Sequence, residues 1–317
     1  MKNIIRKLLK KMGFSIPTYL TYCYRYDEKR FDMVDNNESK EHKKYAAQIR
    51  IIVHTIEKAF SLSDCRDDFG RGKIITLINL LESYDPQKGK DEEAVVLANS
   101  IINKYYNHRV EKRLSVDFIP TQYRKDPHRQ IKTGAQKFYH ISNFSSFEQF
   151  ARSRHSIRNF SSKSIDKERI VTAVKIAQTS PSACNRQATR VYACLDPEKI
   201  CILKNSHGGI KSFGQPGFII AIAQDMTMYL NEYERNTWLI DAGIFCMNLL
   251  YALHSEDFGC CPVIWGGMED EDTRIMELLG IPASERVAIL IVGGNIGAEC
   301  KTPVSSKRQV NDILSFC

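Results

Sequence analysis

Over the first third of the chain, apolar positions recur at helical spacing. In "MKNIIRKLLKKMGF" (1–14), Ile4, Ile5, Leu8, Leu9 and Met12 fall on one face and lysines and arginines on the other. Such a helix either lies on an anionic membrane or docks its stripe on the rest of the protein. The stretches 42–60 and 73–84 also carry helical spacing. So does 91–112, behind three acids, Asp91 to Glu93, suited to a helix N-terminus. Between 114 and 146 the pattern breaks into polar, aperiodic sequence with Pro120 and Pro127, which predicts a linker or wrapping arm. Beyond it, helical and short buried runs alternate. An amphipathic helix is expected over 165–180 with Asp166 as N-cap, strands over 189–195 and 217–225, and a long, largely apolar helix over 231–259. Short buried strands follow at 260–265 and 287–294. This order predicts an α+β unit over 146–317, one sheet with long helices packed on it, preceded by a helical region over 1–145.

Composition changes that picture in two places. The net charge of +8 is uneven: residues 1–150 hold 27 Lys and Arg against 19 Asp and Glu, whereas residues 151–317 hold 18 of each. The helical region is therefore basic and the sheet unit neutral, as two units with different surfaces would be. The ten cysteines form no CxxC pair and no regular frame, so free thiols of a reduced compartment are expected and no metal site. No apolar run approaches the ~20 residues of a membrane span and no signal-peptide pattern is present. The expected compartment is the cytoplasm, with no nucleic-acid partner.

Candidate chemistry starts from a glycine cluster, "VGGNIGAE" (292–299), behind an apolar strand. A dinucleotide-binding turn would need a following helix, a second parallel strand and an acid ~20 residues on. Pro303 comes too soon for that. The cluster reads as a strand ending in a glycine-rich turn, and a Rossmann domain is excluded.

Two other stretches are more telling. "SRHSIRNF" (153–160) alternates Arg154, Ser156 and Arg158, and one helix later "SPSACNRQ" (180–187) packs small residues into a turn. With "WLIDAGIFCMNLLYALHSEDFG" (238–259) and "LLGIPASERVAILIVGG" (278–294), these stretches resemble, in order and spacing, the nitroreductase family of flavoproteins. The resemblance covers about residues 146–317. The segment "HTIEKAFSLSDCRDDFG" (54–70) resembles one found ahead of this domain in some longer members.

What the resemblance implies is specific. The fold would be the family's sheet flanked by long helices, and the cofactor FMN. Arg154 and Ser156 would serve the phosphate and ribityl end, Arg158 the N1–C2=O edge of the ring, and His155 would belong to the same motif. Bidentate arginines and hydroxyl donors suit those groups. A cation at the ring edge favours the reduced, anionic form. Lys211 falls where the family often has a second ring-edge cation. The turn with Pro181, Ser182, Ala183 and Asn185 would reach the ring from the partner subunit of a homodimer built on the long helix. After Gln187, Ala188-Thr189 replaces the family's usual Pro-Trp. Gly266 and Gly267 would let backbone approach the ring's other face, with Trp265 either shaping the substrate side or filling the core. Near the C-terminus Arg308, with Lys307 as second choice, would hold the phosphate. Cys184 is either reactive beside the ring or a small filler.

The implied activity is ping-pong oxidoreduction, with hydride passing from NAD(P)H through flavin N5 to an electron-poor small molecule. Two other readings stand beside it. The protein could hold flavin without turnover, or act as an interaction or membrane-surface protein through its basic N-terminal region.

Overall fold

A computed structural model describes residues 38–317, except 64, 90, 140–144, 230–231 and 267–268, together with residues 21, 24 and 25. The basic helix expected over 1–14, with its membrane-facing alternative, and Gly267 lie outside the described residues.

The helical region forms because three amphipathic helices share one apolar interior. Helix α1 (Glu38–Ser61) buries Ala46, Ile49, Val53 and Ile56, spaced at three or four residues. Helix α2 (Arg71–Ser83) adds Ile74, Leu77 and Ile78. After a single-turn helix α3 (Pro86–Gly89), helix α4 (Glu92–Glu111) begins at Asp91, whose carboxylate accepts from Ala94 N at 3.1 Å. Its Leu97, Ala98, Ile101, Ile102 and Tyr105 complete this core.

The segment after α4 wraps back across these helices, burying Ile119. It ends in a strand, β1 (Ala135–Lys137), paired antiparallel with a C-terminal strand, β6 (Lys301–Pro303). The aperiodic segment is thus an arm that ties the helical region to the C-terminal segment.

The sheet of the second half has the order β2-β3-β5-β4 and every pair is antiparallel. Strand β2 is Thr189–Cys194, β3 Phe218–Asp225, β4 Phe258–Ile264 and β5 Glu285–Asn295. Phe218 to Gln224 of β3 are all buried, because helices cover both faces of the sheet. One face packs on helices α6 (Lys167–Ala177) and α8 (Thr237–Ser255). The other packs on α7 (Pro197–Ser206) and α9 (Glu269–Leu279). A short helix, α5 (Phe147–Ser153), leads into the unit. The long apolar helix is shorter than 231–259. A 3₁₀ turn, Glu232–Glu234, precedes it, and beyond its end Asp257 turns left-handed at φ 59° so that Phe258 can enter β4. Among the described residues, no helix is long and apolar enough to cross a membrane.

The two halves meet at specific bonds. Asn159 Nδ2 donates to Ser61 O at the end of α1 (2.9 Å), and Asp91 accepts from both Arg50 and Arg308.

Candidate functional site

Helix α5 is capped by Ser146, whose hydroxyl accepts from Gln149 N at 3.2 Å, and stops where Arg154 turns extended (φ −69°, ψ 121°). From there the chain runs beside β4: Ser156 bridges Cys260, and Ile157 N donates to Cys260 O at 3.0 Å. Extended backbone sends alternate side chains to opposite sides. Ile157 goes into the core, while Arg154 and Ser156 face a cavity of about 1050 Å³. His155 lines that cavity as well, and Ser305, Ser306 and Lys307 close it from the C-terminal segment.

The cavity is cationic. Burial holds the His155 imidazole below its usual range, and Arg154, Lys307 and Lys132 push it further the same way. Positive groups therefore crowd one region, an arrangement suited to a polyanionic ligand. The Ser156 hydroxyl hydrogen-bonds the Cys261 thiol, which burial pushes up and Arg158 partly offsets. Cys246 is pushed up to about 12 by burial, and Cys260 is raised by the same cause. These three thiols stay protonated at neutral pH, so none is an activated nucleophile.

Arg158 is not in the cavity wall. It is 6% exposed, directly behind Ser156, donating from Nη1 to Ser156 O (3.1 Å) with its guanidinium 5.5 Å from the Phe213 ring centre. Its Nε is buried with no hydrogen-bond partner among the described residues. Lys58 of α1 is lowered by burial first and by Arg158 second, so a second cation lies nearby.

The tail pair divides. Lys307 lines the cavity, whereas Arg308, the first choice from sequence, donates to Asp91 at 2.6 Å instead. Asp91 is a buried carboxylate and captures the longer, forked side chain. Lys211 is exposed in the turn that leads to Phe213. Gly266 is exposed with open space around it. Trp265 packs into the α7/α9 side of the sheet, its indole N–H bonded to Asp272 and its ring 5.7 Å from that of His207.

The turn at 181–187 is strained and clamped. Cys184, Asn185 and Gln187 have φ of 51°, 54° and 55°, a region that non-glycine residues enter at a cost. Ser182 Oγ accepts from Gln187 N (3.0 Å) and Asp241 of α8 accepts from Ala183 N (3.1 Å). Arg186 holds the turn to Glu234 through two bonds, of 3.0 and 2.7 Å. Pro181 and Ser182 line a separate cavity of about 210 Å³ with Asp241 and Phe245. Within one chain, then, the turn and Arg154 line different cavities.

Sequence reasoning alone does not reach one wall of the larger cavity, the α1 face of Arg50, Val53, His54 and Glu57. The segment beginning at His54 carries the only signal for it.

Comparison with known proteins bears on the C-terminal half. The model described as the Nitroreductase family matches residues 151–206 and 202–294. A protein of Archaeoglobus fulgidus, assigned as an NADH dehydrogenase/NAD(P)H nitroreductase, is 30% identical over 134 residues, 41% of this chain and 73% of its own length. The FMN reductase (NADPH) of Bacillus subtilis is 28% identical over 142 residues, 40% of this chain; the match spans only 56% of that relative. Among solved structures, a nitroreductase family protein from Streptococcus pneumoniae is 19% identical, with a TM-score of 0.48 over 54% of this chain and 100% of that one. An FMN-dependent nitroreductase from Clostridium difficile is 22% identical, with a TM-score of 0.43 over 52% and 92%.

Proposed function

The chain belongs to the nitroreductase family, and from that premise we propose that it is an FMN-dependent oxidoreductase that takes electrons from NAD(P)H. The observation that carries this is a set of cations, Arg154, Arg158 and Lys307, that form no ion pair among the described residues. Arg154, Ser156 and Lys307 converge on one cavity, and behind them Arg158 keeps a buried Nε with no partner among the described residues. A buried, unmatched donor is costly, and a bound acceptor relieves it. FMN fits that donor set: a dianionic phosphate for the cations, hydroxyls for Ser156, and a ring edge that accepts hydrogen bonds.

In this proposal residues 146–317 are the FMN-binding unit and residues 1–145 an extension of it. Arg154 and Lys307 hold the phosphate and Ser156 the ribityl chain. Arg158 meets the N1–C2=O edge and favours its anionic state. Lys211 and the backbone of Gly266 serve the ring's remaining edges. The turn from Pro181 to Asn185 completes the site of a second copy. Helix α8 supplies the contact between copies, since its Leu239, Ile240, Ile244 and Met247 form an exposed apolar stripe. Bound FMN would supply the two-electron carrier through which hydride passes from NAD(P)H to an electron-poor small molecule, in ping-pong order.

The test is an absorbance spectrum of the purified protein, identification of heat-released cofactor, and anaerobic titration with NADH and NADPH. A flavin spectrum bleached by either nucleotide, with FMN released, is expected. A colourless protein that takes up no added FMN overturns the proposal. Stoichiometric FMN that neither nucleotide reduces leaves a flavin-binding protein without turnover.

A further inference from the structure

The cationic cavity has a wall from the helical region, and one residue of that wall is not fully spent on the fold. Arg50, Val53, His54 and Glu57 stand at spacings of three, four and seven on α1 and line the cavity with Arg154, Ser156 and Lys307. Arg50 is committed: its Nε and Nη2 donate to Asp91 at 2.8 and 2.7 Å. Val53 belongs to the apolar core.

His54 differs from both. Its side chain is 42% exposed, with Nδ1 at 3.5 Å from Glu57 Oε2 and 3.4 Å from Ser305 Oγ. Among the described residues, no hydrogen bond engages its Nε2. Glu57 in turn is immobilised. It is 2% exposed, and its Oε1 accepts from Thr133 Oγ1 (3.0 Å) and Gly134 N (3.3 Å), both from the wrapping arm. A carboxylate that accepts from one nitrogen of an imidazolium fixes the ring and leaves the other N–H to donate to an anionic ligand. Opposite His54, Ser305 is held at φ 51°, a strained conformation at the head of the Ser305-Ser306-Lys307 run. An imidazole nitrogen, the Arg154 fork and the Lys307 ammonium around one space form a recognition set for phosphate.

We propose that His54, oriented by Glu57, is a phosphate ligand of the bound flavin mononucleotide, contributed by the N-terminal helical region beside Arg154 and Lys307. The proposal rests on the FMN reading above. It gives the helical region a defined role, because α1 then forms one side of the cofactor site. The arm residues Thr133 and Gly134 act on the cofactor only through Glu57, and Glu57 is a positioning residue.

The experiment compares FMN with riboflavin, which lacks the phosphate, by fluorescence titration of the apoprotein. For His54→Leu, FMN affinity should fall by about tenfold or more, the range of a hydrogen bond to a charged group, while riboflavin affinity moves less than about twofold. His54→Gln, which retains an N–H donor of similar reach, should recover most of the FMN affinity. Glu57→Gln should lower FMN affinity more weakly, again sparing riboflavin. Equal losses for FMN and riboflavin would make His54 a mere wall residue and overturn the proposal, as would an unchanged FMN affinity in His54→Leu. A wild-type protein that binds neither flavin would instead bring down the FMN reading itself. Because His54 is half-exposed, its variants keep the fold, and circular dichroism checks this directly.

Discussion

Asp91→Asn probes a joint where the helical region meets the C-terminal segment. The Asp91 side chain is 4% exposed and receives Arg50 through two bonds (2.8 and 2.7 Å) and Arg308 through one (2.6 Å), while also capping α4. Asparagine keeps a carbonyl for Ala94 N, so the cap, worth about 1 kcal/mol, survives, while the charge is lost and the oxygen that accepts from Arg50 Nε and Arg308 becomes an NH2 donor. Breaking a buried pair by removing one partner costs about 3–5 kcal/mol, because the other charge is left uncompensated. Here the side chains of Arg50 and Arg308 are 22% and 40% exposed and regain water, which brings the expected loss down to about 2–3 kcal/mol. The pH dependence has a definite sign. Burial pushes the Asp91 carboxyl up, but the hydrogen bond and charge of Arg50, with the charge of Arg308, outweigh it and hold the group below its ordinary 3.8. A depressed folded value means stabilisation that is full above the unfolded value and is lost as pH falls through the folded one. The gap between wild type and Asp91→Asn should therefore be constant from about pH 5 upward and narrow below pH 4.

Urea denaturation followed by far-ultraviolet circular dichroism measures the gap, and the chain offers an internal control. Both tryptophans, Trp238 and Trp265, lie in the sheet unit, whereas Asp91 anchors the helical core. If the two units unfold in separable steps, the dichroism transition should shift more than the fluorescence transition. A loss below about 0.5 kcal/mol at pH 7, or a gap that does not narrow towards pH 3.5, would refute this account of the joint.

Three further outcomes are expected. Arg158→Met should lower the two-electron potential of bound flavin by about 30–60 mV, since a charge-assisted contact is worth roughly 1.5–3 kcal/mol and 30 mV is about 1.4 kcal/mol; a redox titration with excess FMN measures it, and an unchanged potential assigns the ring edge to another cation. Lys307→Met should weaken FMN retention in equilibrium dialysis about tenfold while leaving the urea midpoint near wild type, and Arg308→Met should do the reverse, because Lys307 faces the cavity and Arg308 faces Asp91. Ile244→Asp, on the exposed stripe of α8, should yield monomers in light scattering with reduced FMN occupancy; an unaltered mass would exclude this face as the contact between copies.

How far the sequence reaches depends on whether a residue's neighbours are near or far along the chain. Strand β3 and helix α6 show themselves because burial repeats within each: Phe218 to Gln224 are all covered, and Ile170, Ala173 and Ala177 recur at three and four. Strands β4 and β5 each begin two residues before the position their apolar runs suggest, at Phe258 and Glu285, because pairing continues past the run. Helix α7 hides for the opposite reason. It buries only Ile200 and Leu203, and its signal is the Asp196-Pro197 start, in which Asp196 caps Glu198 N. The β1–β6 ladder, three residues on each side, has no local signature at all.

The site follows the same division. Arg154 and Ser156 are legible because the motif that carries the family resemblance is local in sequence, and the backbone beside β4 brings both to the cavity. Arg158 shares their parity yet turns inward, since Phe213 offers its guanidinium a ring to lie on. Whether Lys307 or Arg308 faces the cavity is decided by Asp91, more than two hundred residues earlier. His54 and Glu57 are the hardest case. A polar residue on an amphipathic helix is by default assigned to solvent, and charged side chains are almost never fully buried unless paired. Glu57 is buried because Thr133 and Gly134 reach it from an arm whose sequence is aperiodic. An acceptor oxygen satisfied by such a distant segment leaves no periodic trace. It is the polar face of α1, which periodicity treats as empty, that carries a wall of the site.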